Sequence, residues 1–332
     1  MSKIKQSMEQ LARHDLRSGF QSFMQALRGI LFGTNLEKGG LLGKAVIYFL
    51  LVTFAVLYLE PLVYMISTSF KGFSDFTDPT AKWIPKDPTF VNLKYAFDKM
   101  NIKPIFVEGK TLWQNLCSST LFNTATIALP SAAIQVFTCA IAGYAFGRLE
   151  FPFKKTMLVF LVLTYIVPPN TVFIPLAWIY KQYNLLNSPF CFIAPAIFGQ
   201  GLRSGLFIII YMQFFRKIPK ELEEAAALDG IGSFRFFWKI MFPLAKPAMI
   251  TVFLFSLVWH WNETYLSSLL YTTNTTLSVQ IAKASIPPNG MELNLQPVQM
   301  VSGLLFILPN LLIYLFTQRL FTESIERTGI VE

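Results

Sequence analysis

The chain has 332 residues, of which 53% are hydrophobic and only 14% are charged, whereas a soluble domain usually carries about 25% charged residues. Its three cysteines lack metal-ligand spacing and leave one unpaired in any scheme, so we expect neither a metal centre nor a disulfide framework. A net charge of +9 alone would also fit a nucleic-acid binder. In so apolar a chain, basic cytoplasmic loops explain this charge better, and we expect membrane lipid rather than nucleic acid as its surroundings.

Residues 1–44 precede every long apolar run. Apolar side chains recur at helical spacing from Leu16 to Leu31, with arginines among the polar positions, and no apolar signal-peptide core precedes them. The pattern predicts a cytoplasmic N-terminal region with an amphipathic helix. This helix would lie either on the inner membrane surface or against the inner face of the protein itself.

Six later stretches are long and apolar enough to cross the hydrocarbon core as helices, which takes about 20 residues. They lie near residues 45–66, 119–146, 156–178, 191–214, 248–270 and 300–317. The Pro-Pro-Asn sequence at 168–170 should break the third span, because proline lacks an N–H donor and restricts the residue before it. Such a break is tolerated at membrane depth only against protein or a water-filled path. The sequence therefore predicts an all-α polytopic domain over 45–332 that acts as a conduit.

Basic residues predict the orientation of these spans. Eight of the nine arginines fall in the N-terminal region, the loop at 147–155, the loop at 216–247 and the C-terminal tail. All four segments lie on one side of the membrane if there are six spans. Because cytoplasmic loops are enriched in Lys and Arg, we predict that both termini are cytoplasmic.

The loop at 216–247 contains the stretch IPKELEEAAALDG at residues 218–230. Pro219 and the acids that follow it suit a helix N-terminus, and Gly230 suits a left-handed position just after a helix end. Asp229 lies at the negative end of this helix, so helix stability does not explain it. By composition alone, a surface helix with solvated acids explains the stretch better than a functional helix does.

The order of residues in this loop resembles the signature loop of ABC importer permeases, E-A-A-x-x-x-G-x9-I-x-L-P. The match runs from Glu224 to Pro243, with Phe242 where leucine is usual. In that family the loop forms a coupling helix that docks into a groove of a separate ATPase subunit. The resemblance implies an ATPase-coupling role for the following residues: Glu221, Glu224, Ala225, Ala226, Asp229, Gly230, Ile240 and Pro243.

Other segments narrow the resemblance to the maltose-type second permease of carbohydrate-uptake systems. Residues 123–155 resemble a span and inner loop with the ending A-Y-A-x-x-R-x-x-F-P, in which Arg148 is the matching arginine and Gly143 replaces the first alanine. Residues 166–176 are similar to the run M-x-P-x-x-x-x-I-P-L, and residues 261–271 stand where the family has Trp-Asn-Asp. The tail resembles the Gln-Arg-x-Phe…Gly-x-Val ending.

The chain contains no ATPase motif. No G-x-x-x-x-G-K-[ST] phosphate-binding loop is present, and GLLGK at 40–44 has the wrong spacing. Neither His14 nor His260 neighbours a clear nucleophile, so we expect no enzyme and no cofactor on this chain. The resemblance implies ATP and Mg²⁺ on partner subunits. It also implies a second homologous permease, two ATPase domains and an extracytoplasmic solute-binding protein, assembled in the bacterial cytoplasmic membrane.

Polar residues inside the predicted spans are candidates for a substrate path, because they are costly in lipid and usually face protein or water. The candidates are Asn170, Arg203, Trp259, Trp261, Asn262 and Glu263. Aromatic faces suit sugar rings, and amide and carboxylate groups suit hydroxyls. Arg203 could instead pair with Glu60 or Glu263, and the tryptophans could instead anchor or pack helices.

These observations lead to one principal hypothesis. The chain is the permease subunit of an ATP-driven importer for a sugar or oligosaccharide, forming half of the translocation path. The alternative is a self-contained secondary transporter or channel that needs no ATPase. The loop at 216–247 favours the first hypothesis.

Overall fold

The computed structural model describes residues 33–35, 38–39, 41–72, 74–75, 78–168, 170–284 and 296–329. The predicted amphipathic helix of the N-terminal region lies outside the described residues. The chain divides into two units, Met1–Tyr64 and Met65–Glu332. The description below takes each unit by itself.

The first unit contains a small hairpin and most of one long helix. Strands β1 (Gly33–Asn35) and β2 (Lys38–Gly39) pair antiparallel. Helix α1 (Leu41–Ser69) follows and continues into the second unit. Its most apolar window has a mean hydropathy of 2.2, which suits a membrane span.

The second unit is helical along most of its described length. Its helices are α2 (Val91–Lys99), α3 (Leu112–Leu116), α4 (Thr120–Arg148), α5 (Lys154–Ile166), α6 (Asn170–Gln182), α7 (Phe190–Ile197), α8 (Ser204–Lys217), α9 (Glu221–Leu228), α10 (Ser233–Phe236), α11 (Phe242–Leu244), α12 (Lys246–Asn262), α13 (Tyr265–Leu270), α14 (Leu277–Ala284) and α15 (Gln296–Gly329). A π-helical turn over Phe237–Met241 joins α10 to α11. The all-helical membrane fold class predicted from the sequence is thus supported by the described elements.

Three described helices are long and apolar enough to cross a membrane: α1, α4 and the Gln296–Arg319 part of α15. Two bent pairs could each form one more span. Helices α5 and α6 meet at 94° at the predicted Pro-Pro-Asn break, and the Ser233–Leu244 segment meets α12 at 75°. By length and composition, the described residues therefore provide three to five spans.

Two predicted spans differ from the helices that the structure contains. The predicted span 191–214 is divided into α7 and α8 by a turn in which Gly199 and Arg203 both have positive φ. The predicted span 248–270 is divided into α12 and α13 at Glu263, which is extended with φ −69° and ψ 111°. Hydrophobicity averaged over about 20 residues did not reveal either interruption, because both turns are short and are flanked by apolar helices.

Helix α4 lies at the centre of the second unit, where it packs against α7, α8 and α12. Its N-terminus is capped by Ser119, whose Oγ accepts a hydrogen bond from the N–H of Phe122. Near its other end, a Cβ added at Gly143 would lie only 2.4 Å from the Cβ of Tyr211 on α8. The glycine therefore allows the two helices to approach closely, as small residues do in membrane proteins.

Gln135, a fully buried residue of α4, connects three helices through its side-chain amide. Its Nε2 donates to Ser204 Oγ at 2.7 Å and to the carbonyl oxygen of Leu202 at 3.0 Å. Its Oε1 accepts a hydrogen bond from Ser256 Oγ at 2.5 Å. These bonds join α4 to the start of α8 and to the middle of α12.

We expect Gln135→Leu to lower the free energy of unfolding by about 1–3 kcal/mol, because it leaves buried hydroxyl and carbonyl groups without partners. The matched control is Gln213→Leu, since Gln213 is an exposed glutamine of α8. The measurement is the thermal midpoint of each variant purified in mild detergent. Equal midpoints for the two variants would contradict a structural role for the Gln135 hydrogen bonds.

Candidate functional site

A cavity of about 770 Å³ lies in the second unit, between the ends of α5, α6, α7, α8, α12 and α13. Its lining includes four of the predicted path residues: Asn170, Arg203, Trp259 and Glu263. Residues from both sides of the bend between α5 and α6 line it. The cavity is therefore where the broken helix and the polar end of α12 meet.

Trp261 and Asn262 do not line this cavity. Trp261 is 2% exposed, and its indole N–H donates to the carbonyl of Phe306 on α15 at 3.0 Å. The Asn262 amide donates to the carbonyl of Val258 on its own helix at 2.8 Å. Consecutive residues of a helix project about 100° apart, so Trp259, Trp261 and Asn262 lie on different faces of α12.

Arg203 has the left-handed backbone conformation, with φ 59°, immediately before α8. Its guanidinium carbon lies 5.5 Å from the ring centroid of Tyr165 and 5.7 Å from that of Trp259. Both distances are within the range of cation–π attraction. Among the described residues no carboxylate lies within ion-pair distance of Arg203, so the alternative pairing with Glu263 is not observed there.

The turn that presents Arg203 is held from both sides by Gln135. The glutamine bonds Leu202, just before the arginine, and Ser204, just after it. A Cβ at Gly201 would lie 2.7 Å from the Gln135 nitrogen, so only glycine leaves room for the amide. These contacts offset the strain of a non-glycine residue at positive φ.

Glu263 and His260 provide two further polar groups at the cavity. Glu263 Oε1 accepts a hydrogen bond from the N–H of Leu266 at 2.8 Å and so caps α13. His260 Nδ1 lies 2.8 Å from the carbonyl oxygen of Ser256, and because a carbonyl only accepts, Nδ1 carries the hydrogen.

The other ring nitrogen of His260, Nε2, is buried and has no hydrogen-bond partner within the described part of the chain. In the neutral ring this atom is an acceptor. His260 was not among the path residues predicted from the sequence. Its position one residue after Trp259 was the available signal.

The candidate coupling helix is α9, and its end has the geometry that the sequence predicted. Gly230 has φ 71°. Its N–H donates to the carbonyl of Ala227 at 3.0 Å, and the N–H of Ile231 donates to the carbonyl of Ala226 at 2.9 Å. This pair of bonds is a Schellman motif, which ends a helix sharply.

The loop around α9 exposes both acids and large apolar side chains. Leu228 is 90% exposed and Phe234 is 80% exposed. Ala226 is buried, and Ile240 packs partly buried against the same core cluster, so these two residues position the loop. The other residues that the resemblance assigns to coupling are exposed: Glu221, Glu224, Ala225, Asp229, Gly230 and Pro243.

Arg148, the last residue of α4, joins the helical core to this loop. Its guanidinium donates to the carbonyl of Phe215 at 2.9 Å and to that of Ile218, both at the end of α8. It also lies 3.9 Å from the carboxylate of Glu223 on α9. The side chain of Arg148 is 4% exposed, so its bonds to the two carbonyls are shielded from water. The sequence marked Arg148 only as part of a motif, because its partners are distant along the chain.

A family model described as "Binding-protein-dependent transport system inner membrane component" matches residues 139–327, which is more than half of the chain. The match includes α8, the loop around α9 and α12. The match also includes every residue that lines the cavity, from α5 to α13.

Two curated relatives and one solved structure are similar to the chain. Melibiose/raffinose/stachyose import permease protein MelC of Bacillus subtilis is 27% identical over 81% of this chain and 90% of that protein. Probable ABC transporter permease protein PH1036 of Pyrococcus horikoshii is 29% identical over 56% of this chain and 62% of its own length, which is less than two thirds of that relative. The crystal structure of a bacterial ABC transporter involved in the import of the acidic polysaccharide alginate aligns with a TM-score of 0.64. At 22% identity over 84% of this chain and 96% of that chain, it shows a shared fold.

We expect Gly230→Ala to loosen the end of α9, because a side chain in the left-handed conformation costs about 1–2 kcal/mol. A Cβ at Gly230 meets no heavy atom within 4 Å, so the effect is conformational and not a clash. Gly230→Asn should be milder, since asparagine tolerates this conformation better. The measurement is hydrogen exchange of the amides at residues 230 and 231, read by mass spectrometry.

Gly232→Ala is the matched control for this experiment. Gly232 has an ordinary φ of −66° and also has open space at its Cβ position. Its alanine variant should exchange at the wild-type rate. Equal exchange in the Gly230→Ala and Gly232→Ala variants would contradict the assigned role of the left-handed turn.

Proposed function

Because the chain belongs to the family of binding-protein-dependent transport system inner membrane components and is thus a permease subunit of an ABC importer, we propose that it carries a saccharide through the cavity at Arg203. We propose further that the loop at 216–247 couples this transport to ATP hydrolysis. The chain is a multi-pass protein of the cytoplasmic membrane. The ABC permease family predicted from the sequence is confirmed, and a self-contained transporter or channel is not favoured.

The single observation that carries the coupling proposal is the exposed surface of the loop around α9. Large apolar side chains on a loop outside the hydrocarbon usually mark a protein interface. Leu228 and Phe234 are such side chains, and exposed acids lie beside them. Arg148 and the buried Ala226 tie this surface to the helical core, so a force applied there would reach α4 and α8.

Two observations support a saccharide as the substrate. The name of the relative MelC describes the import of melibiose, raffinose and stachyose, all of which are sugars. The cavity of this chain combines the aromatic rings of Tyr165 and Trp259 with the polar groups of Asn170 and Glu263. Such a lining suits apolar ring faces and many hydroxyls without binding them too tightly.

In this proposal the chain crosses the membrane six times, with both termini in the cytoplasm. The divided pair α7 and α8 then forms one span, the bent pair α5 and α6 forms another, and α12 with α13 forms a third, while the Ser233–Leu244 segment belongs to the cytoplasmic loop. The assembly contains a second homologous permease, two ATPase domains that bind ATP and Mg²⁺, and an extracytoplasmic solute-binding protein. This chain is its non-catalytic subunit and holds half of the path.

The test of coupling is the ATPase activity of the complex that co-purifies with this chain in mild detergent. We expect Glu224→Lys to lower ATP hydrolysis and uptake by about tenfold, because it reverses a charge at an interface. Since Glu224 is exposed, expression and membrane insertion should stay normal. The matched control is Glu108→Lys, another exposed glutamate, which should retain wild-type activity.

Two results would overturn the coupling proposal. One is wild-type activity in the Glu224→Lys complex. The other is uptake by this chain after the ATPase subunits have been removed, which would favour the self-contained transporter.

Single cysteines on a cysteine-free background test the orientation. Arg235→Cys should be hidden from an impermeant thiol reagent in intact cells, because the proposal places the loop at 216–247 in the cytoplasm. Lys110→Cys should react, because residue 110 is exposed and lies on the opposite side. Lys86 lies in the same loop, but its ammonium group pairs with Asp78 at 2.5 Å, so a cysteine there would also remove an ion pair. Labelling at 235 without permeabilisation would contradict the N-in, C-in orientation.

A further inference from the structure

The geometry points to a specific chemistry for the cavity: it holds a saccharide that bears an oxyanion, such as a carboxylate or phosphate, with the anionic group on Arg203. This inference rests on the proposed function, because it names the substrate class of the same site. It is carried by the charge of Arg203, by two helix N-termini and by an unpartnered histidine nitrogen.

The first observation is a cation that has aromatic neighbours but no counter-ion. The Arg203 guanidinium is held near the rings of Tyr165 and Trp259, and no carboxylate within the described ranges forms an ion pair with it. A charged group within a membrane domain is expensive and normally serves a function. The two rings hold the guanidinium by cation–π attraction, and no group of the described residues accepts a hydrogen bond from its N–H donors, so these can bind an oxyanion in bidentate fashion.

The second observation is that two helices begin at the cavity. Asn170 is the first residue of α6, and Ser204 is the first residue of α8. Both residues line the cavity. These helices have 13 and 14 residues, so each presents the positive end of a full helix dipole. In other transporters, half-helix N-termini at the substrate site face anionic groups. Both N-termini therefore add partial positive charge to the lining that contains the Arg203 guanidinium.

The third observation is that two other polar groups of the cavity are hydrogen-bond acceptors, whereas Arg203 is a donor. His260 Nε2 is buried, faces no partner in the described part of the chain and is an acceptor in the neutral ring. Glu263 is also an acceptor, and one of its oxygens is already bonded to Leu266. Acceptors match the hydroxyl hydrogens of a sugar, whereas the arginine matches an oxyanion. The arrangement therefore fits a ligand with both kinds of group.

A neutral sugar would leave the Arg203 guanidinium without a complementary group. A small inorganic anion would leave the aromatic faces and the acceptors unused. The volume of about 770 Å³ is also within the range of sites that hold ligands of drug-like size. An anionic mono- or disaccharide is the class that uses all of these features.

The test is uptake by proteoliposomes that contain the complete complex and its solute-binding protein. Three matched probes are used: digalacturonate, neutral digalactose, and digalactose 6-phosphate. The wild-type complex should transport at least one anionic probe about tenfold faster than digalactose, since a charge-assisted bidentate contact is roughly twice as strong as a neutral hydrogen bond. The preferred anionic probe identifies the oxyanion as carboxylate or phosphate.

Arg203→Gln should lower the ratio of anionic-probe uptake to digalactose uptake by about tenfold, because it removes the charge that the anionic group contacts. Glutamine is also a non-glycine residue, so the strain at φ 59° is the same in both proteins. ATP-dependent uptake of digalactose that persists in the variant shows that the variant is folded and coupled. The matched control is Lys181→Gln, an exposed cation at the far end of α6, which should transport all probes as the wild type does.

The outcomes separate this inference from the proposed function. ATP-dependent uptake in which digalactose is preferred, or in which Arg203→Gln slows all probes equally, overturns the anionic substrate and leaves the importer intact. No ATP-dependent uptake of any of the three saccharides by the wild-type complex overturns the proposed saccharide import and this inference with it.

Discussion

The buried amide of Gln135 is the constraint on which the geometry of the cavity depends. Its hydrogen bonds reach Leu202 and Ser204 on one side and Ser256 on the other. A buried amide that loses its partners is destabilising, so α8 and α12 are held at one position along α4. The turn before α8 then has one orientation, and Arg203 projects from it toward the rings of the cavity.

Helix α4 connects this cavity to the loop that we propose docks on the ATPase. Gln135 lies near its middle and Arg148 is its last residue, a separation of about 20 Å at 1.5 Å per residue. Arg148 holds the carbonyls at the end of α8, which is also the helix that Arg203 precedes. The two regions therefore share two helices, and a close-packed pair of helices transmits displacement with little compression.

Two left-handed residues illustrate what sequence reasoning can and cannot detect. Gly230 was identifiable because glycine after a helix commonly takes this conformation, and the structure confirms it. Arg203 has the same conformation, but an arginine carries no such signal. Its backbone is decided by the hydrogen bonds of Gln135, a residue of another helix, so no local pattern contains the information.

The sequence by itself determined the helical membrane class, the bend at the Pro-Pro-Asn sequence and the helix that ends at Gly230. Each of these follows from hydrophobicity, proline or glycine within a few neighbouring residues. Only the tertiary structure decided which side of α12 faces the cavity, so that Trp259 lines it while Trp261 packs against α15. Helical periodicity gives the angle between two side chains, but it does not say which face the neighbouring helices cover. That choice depends on contacts between residues far apart in the chain, which no local pattern records.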